Sequence, residues 1–112
     1  MKERGVDFIL SPAFSGVAAA LGQSHYWNYT AIWNLLDQPC VTLPTGLFQD
    51  PAIDKADTNY KPRNSVDARE WEKYVPEKFV GAPICVQITG KHFQDEATIA
   101  ASELVSEILK SK

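Results

Sequence analysis

Three short segments of this chain, Val6–Leu10, Cys40–Leu43 and Ile84–Thr89, are apolar at nearly every position instead of at alternate ones. A strand that is apolar on both faces has to be covered on both, which is the pattern of an α/β layer. Only two stretches carry a helical apolar stripe able to supply that cover. Two helices cannot close both faces of three strands together with the two outer edges, so apolar surface or unpaired edge must remain. The expected fold class is therefore α/β: a partial mixed sheet of about three buried strands covered by helices, forming a piece of something larger.

The limits of these segments follow from local chemistry. Val6–Leu10 ends at Ser11-Pro12, because proline donates nothing to a ladder and favours a turn. From Ser24 the spacing turns helical, with Tyr26, Tyr29, Ile32, Trp33 and Leu36 at steps of three and four, and Ser24 placed as the N-cap. Pro39 ends that helix. Cys40–Leu43 lies between Pro39 and Pro44, and Thr45-Gly46 is the turn after it. Gly81-Ala82-Pro83 leads into the third strand and Gly90 closes it. The last element is the clearest helix: Ala97, Ala101, Leu104 and Ile108 form one stripe, with Asp95 and Glu96 at its positive end and Lys110 at its negative end.

Between Asp50 and Val80 the composition changes. Seven of the chain's 14 acids and six of its 11 Lys and Arg residues fall there. Residues 50–80 therefore read as a charged surface excursion within one unit spanning 1–112. Trp71, Tyr74 and Phe79 are its expected pegs, with a helical turn at 67–74.

A net charge of -3 leaves no basic surplus to neutralise a phosphate backbone, so nucleic acid is not an expected partner. The apolar run Val17–Leu21 stops at Gly22, far short of the roughly 20 residues that span a bilayer. Asp7 interrupts the Val6–Leu10 run, so the start does not read as a secretory signal, and a cytosolic setting is expected. Cys40 and Cys85 sit in apolar surroundings and read as buried free thiols, in preference to a disulfide or a reactive nucleophile. His25 and His92 are far apart and lack metal-ligand spacing, so no metal and no cofactor are expected.

Three stretches together resemble a known family. They are Val-Asp-Phe-Ile-Leu-Ser-Pro-Ala (6–13), Tyr-Trp-Asn-Tyr-Thr-Ala-Ile-Trp-Asn-Leu-Leu-Asp-Gln-Pro (26–39) with its continuation Cys-Val-Thr-Leu-Pro-Thr-Gly, and Gly-Ala-Pro-Ile-Cys-Val-Gln-Ile-Thr-Gly (81–90) followed by Gln-Asp-Glu. Their order resembles the C-terminal part of the amidase-signature hydrolases. The helix pattern and Pro62-Arg63-Asn64 are most similar to fungal acetamidases and fatty-acid-amide hydrolases. The resemblance implies amide carbon–nitrogen hydrolysis by a lysine, a cis-peptide serine and a nucleophilic serine, acting on a small-molecule amide in the full-length parent. The family's Gly-Gly-Ser-Ser-Gly stretch is absent. Ser11, Ser15, Ser24, Ser65, Ser102 and Ser106 lie outside any such context, so no catalytic residue is assigned and the chain alone is expected to be inactive.

The resemblance also implies that the first helix and the 43–48 segment run near the substrate channel, which makes Tyr29, Trp33, Thr45 and Leu47 the candidate pocket wall. The aromatic group Tyr26, Trp27, Tyr29 and Trp33 equally fits plain core packing. Ser24-His25 suggests a nucleophile and base, but adjacent residues point apart, so a cap and a surface histidine fit better. Lys91-His92 follows a strand end and reads as structural. Against the fragment of an amidase stands a free-standing interaction module that binds a partner through its open edge. Self-association through exposed strand edges is expected of the fragment standing alone, whereas a stable monomer would favour the module.

Overall fold

The computed structural model describes residues 1–111. It contains β1 (Ile9–Pro12), α1 (Asn28–Leu35), β2 (Cys40–Phe48), α2 (Ser65–Glu72), β3 (Pro83–Thr89) and α3 (Asp95–Lys110). The strands form one sheet in the order β1-β3-β2. β3, the last strand in the chain, runs antiparallel to both neighbours and pairs Ile88 with Leu10 on one side and with Val41 on the other. The combination of helices and sheet matches the α/β expectation. The ladders differ from the mixed sheet expected: β3 inserts between the first two strands, so the two strands that are parallel to each other never touch.

Two of the prolines that bound the apolar runs, Pro12 and Pro44, lie inside strands. Pro12 pairs with Val86 and Pro44 with Cys85. Both belong to outer strands, where a missing N–H can face away from the ladder. The β2 register shifts between Pro44 and Phe48, and Gly46 there takes φ 82. The first helix begins at Asn28 with Trp27 in the cap position and no side-chain cap. Ser24 is not the N-cap; its carbonyl accepts the indole N–H of Trp27 at 2.8 Å.

Alternation along β3 assigns its two faces. Ile88 points toward α3, where Phe8, Leu10, Leu104 and Val105 border an apolar cleft of about 470 Å³. Gln87 points the other way, toward α1. Leu43 and Ile88 are the buried apolar side chains, and the others sealed from solvent are polar: Gln49, Gln87, Thr89, Thr98 and Ser102. Leu10, Leu104 and Ile108 stay at least half exposed, which is the uncovered apolar surface that the count of helices demands. Cys40 and Cys85 are free thiols, but Cys40 is exposed and Cys85 only part-buried, because an outer strand is covered less than a central one.

The close approach of β3 to α3 depends on one glycine. A Cβ built on Gly90 would lie 1.8 Å from Oγ1 of Thr98, so with any larger residue the Thr98 side chain or the helix carrying it has to give way. The same glycine donates its N–H to the Pro39 carbonyl at 3.0 Å and accepts from Nε2 of Gln38 at 3.1 Å.

Candidate functional site

The polar interior of the sheet is organised by one side chain. Nε2 of Gln87 donates to the carbonyls of Tyr29 at 2.6 Å and Pro12 at 2.8 Å, and lies 3.1 Å from Oγ of Ser11. Its Oε1 accepts from the thiol of Cys40 at 3.1 Å. A buried amide has to satisfy its donors and acceptors, and doing so here binds α1 to all three strands. Gln87 was not singled out from the sequence, although a glutamine inside an apolar strand is the kind of local conflict that marks a special position.

Residues 50–80 fold back over the 14–23 segment and the start of α1 and border two adjoining hollows. The first, of about 430 Å³, has Phe14, Trp71, Tyr74, Phe79 and Ile84 among its walls, with Glu70 and Lys73 as its charged pair. The second, of about 570 Å³, is bordered by Tyr26, Tyr29, Arg63 and Asn64. Ser15, Tyr60, Asp67 and Glu70 border both.

The walls are fixed by short-range chemistry. Asn64 caps α2 by accepting the N–H of Asp67 at 2.9 Å. Asp67 Oδ2 in turn accepts the Tyr60 hydroxyl at 2.6 Å and the Arg63 N–H at 2.8 Å. The backbone N–H of Arg63, then the Tyr60 hydroxyl, hold the Asp67 carboxyl below its ordinary value, because both bond to the charged form. The same hydrogen bond to Asp67 raises the Tyr60 phenol above its own. Tyr60 stacks on Trp71 with centroids 6.2 Å apart, and Tyr74 meets Phe79 at 5.7 Å. The Tyr74 hydroxyl donates to the Asp54 carbonyl at 2.6 Å and accepts from the buried Gln49 at 3.1 Å. Of the expected pegs, Tyr74 bonds outside the segment, to Gln49, while Trp71 and Phe79 pack on rings within it and border the first hollow.

Of the four residues expected to line a pocket, Tyr29 alone borders one of these hollows. Trp33 is part-buried, and its indole N–H has no hydrogen-bond partner. Thr45 donates its hydroxyl to the Ile84 carbonyl at 2.8 Å, and its Oγ1 accepts the Leu47 N–H at 3.2 Å, so the expected turn at Thr45-Gly46 is instead the register shift within β2. Leu47 is 63% exposed. Tyr29 and Trp33 on α1 and Thr45 and Leu47 on β2 do not converge on one cavity.

Among the described residues neither histidine is hydrogen-bonded to a serine or cysteine side chain. His92 Nε2 lies 2.6 Å from Asp37, and His25 Nδ1 lies 3.4 Å from the Lys73 ammonium. Lys91 pairs with Asp7 at 2.7 Å, which lowers the Asp7 carboxyl through hydrogen bond and charge together. Ser102 donates to the Thr98 carbonyl within α3, and Ser11 takes the Gln87 amide. Among the described residues no group of three or more His, Cys, Asp or Glu side chains could hold a metal, and no helix is long and apolar enough to cross a membrane.

Comparison with known proteins places this arrangement. The amidase family model matches residues 1–99. A Schizosaccharomyces pombe protein described as an amidase is 42% identical over 94% of this chain and 20% of its own length. The acetamidase of Emericella nidulans is 36% identical over 93% of this chain and 19% of its own. A solved fatty acid amide hydrolase superposes with a TM-score of 0.89 at 42% identity, covering 97% of this chain and 20% of that one. The chain spans about a fifth of the length of the curated relatives it matches. Nothing in these likenesses supports a free-standing interaction module. Matched over nearly its whole length by sequence and by structure, the chain belongs to the amidase family.

Proposed function

We propose that this chain is the C-terminal portion of an acetamidase-like amide hydrolase, supplying scaffold and one wall of the substrate pocket, while the serine, cis-peptide serine and lysine that break the bond come from elsewhere in the polypeptide. The observation that carries this reading is the pair of adjoining hollows that residues 50–80 border together with the 14–23 segment and the start of α1, the first walled largely by aromatic rings, as small-molecule sites commonly are, and the second mainly polar. Tyr29 is the wall residue this reading favours most, since it reaches a hollow while its carbonyl is held by Gln87. Trp33, Thr45 and Leu47 then serve to support the wall. The substrate is a small amide, no cofactor takes part, and nucleic acid is not a partner at a net charge of -3. Two free thiols favour a reducing, cytosolic setting. The outer ladders of β1 and β2 are open, which favours self-association of the chain when it stands alone.

The test is a chimera in which this chain replaces its counterpart in the Emericella nidulans acetamidase, assayed by ammonia release from acetamide. The chain alone should release none and the chimera should turn over. Tyr29→Ala in the chimera should raise KM more than it lowers kcat. Turnover by the isolated chain, or a folded chimera without any, would overturn the assignment.

A further inference from the structure

Two wall segments of the hollows are held by one side chain that borders neither hollow itself. Residues 14–17 border the first hollow and begin two residues after Pro12, whose carbonyl takes a hydrogen from the Gln87 amide at 2.8 Å. The same stretch is tied at its far end, where Ala18 donates its N–H to the Pro83 carbonyl at 3.2 Å. Tyr26 and Tyr29 border the second hollow, edge to face at 5.9 Å, and the Tyr29 carbonyl takes the other hydrogen of Gln87 at 2.6 Å. Ser15 borders both hollows, so a shift of the 14–17 segment reshapes both.

The Gln87 amide has one workable orientation. Its NH2 carries two hydrogens and faces two carbonyls, with Ser11 Oγ further off at 3.1 Å, while its Oε1 accepts from the Cys40 thiol at 3.1 Å. Rotated by half a turn, the amide would set its oxygen against both carbonyls. The thiol is held in turn, because the Thr89 hydroxyl donates to its Sγ at 3.3 Å. Gln87 is 1% exposed, so its partners have to be protein groups. Methionine would fill the same space and hold neither segment.

We propose that Gln87 is a positioning residue for substrate: from β3 its amide sets the spacing between the 14–17 segment and the first turn of α1, with Cys40 fixing the orientation of the amide. It acts through the walls and not on the reacting atoms. The use of the walls rests on the pocket role proposed above, whereas the anchoring of the two segments does not.

The experiment uses the chimera with the Emericella nidulans acetamidase, carrying Gln87→Met. Hydrogen exchange read by mass spectrometry should rise at 13–18 and 26–31 and stay unchanged in α3, to which Gln87 makes no hydrogen bond. In ammonia release from acetamide, KM should rise about threefold to tenfold, with kcat changed by less than about twofold. On a Tyr29→Ala background the same substitution should raise KM by less than about twofold, because the ring it positions is gone. Cys40→Ala should move KM and exchange in the same direction by less, and Cys40→Ser, which still donates, should leave both near the unaltered chimera. A role confined to stability gives the opposite pattern: unchanged KM, effects additive with Tyr29→Ala, and exchange rising in α3 as much as in the walls. That pattern overturns the proposal, and unchanged exchange at both walls overturns the anchoring whatever the turnover. Raised wall exchange in a chimera without turnover upholds the anchoring and overturns the pocket role, and with it any positioning of substrate. Should Gln87→Met fail to fold, the two Cys40 variants decide by the same readouts.

Discussion

Gln87, Ile88, Thr89 and Gly90 at the centre of the sheet, and Thr98 and Ser102 on α3, are sealed from solvent, whereas none of the residues described between 50 and 80 is. Both regions contain a capped or well-terminated helix, aromatic or aliphatic contacts and dense hydrogen bonding. They differ in the reach of their bonds. Gln87 joins partners 47 to 76 residues away, while Asp67, the hub of the excursion, bonds partners three to seven residues away. Long-range closure is costly to form and is shared by every element it joins, so loss at the centre should spread. Loss in the excursion should stay local and be felt mainly in the shape of the hollows.

The sharpest way to break that contrast is to remove equal numbers of carbons from each region. Ile88, 2% exposed, should lose about 2–5 kcal/mol of stability on change to Ala, while Ile53, 78% exposed, should stay within about 0.5 kcal/mol. Urea unfolding followed by tryptophan fluorescence checks both, and equal losses would show that the two regions unfold as one. A smaller effect comes from crowding the strand against the helix. Gly90→Ala should cost about 1–3 kcal/mol through the Thr98 hydroxyl, and adding Thr98→Ala should recover part of it as a measurable coupling in a double-mutant cycle.

The excursion offers the gentlest tests. Asn64→Ala removes the α2 cap and should cost about 1 kcal/mol, with proteolytic sensitivity rising between 50 and 80 while the sheet amides keep their exchange protection. Acid should act at the neighbouring site. Because the folded state lowers the Asp67 carboxyl below 3.8, its contribution is fully present above that ordinary value and is lost as pH falls through the lowered one. Asp67→Asn should therefore flatten the acid limb of stability at Tyr60 and Trp71 without changing it at neutral pH in the sheet. An unchanged acid limb would remove Asp67 from the account of how the hollow holds its shape.

Much of this molecule is set by neighbours in sequence. The stripe Ala97, Ala101, Leu104, Ile108 with acids first and a lysine last is enough to specify α3, because a helix closes its own hydrogen bonds. The crowding of charge between 50 and 80 keeps that segment out of the core, and of its aromatic residues Tyr74 ties it to Gln49, just after β2. Strands are different, since half of each strand's bonds belong to a partner that local pattern does not name. Apolar runs therefore announced three strands but not that the last would enter between the first two, in antiparallel sense, leaving Cys40 on an outer strand and exposed. The pocket residues divide the same way: the α1 spacing brings Tyr29 and Trp33 to one helix, but only the fold-back of residues 50–80 decides that Tyr29 meets a hollow, while Thr45 and Leu47 sit at the register shift within β2. Sequence determines which surfaces each element has to cover; which element covers them is decided by packing the whole chain at once, because burial rewards total contact and not order along the backbone.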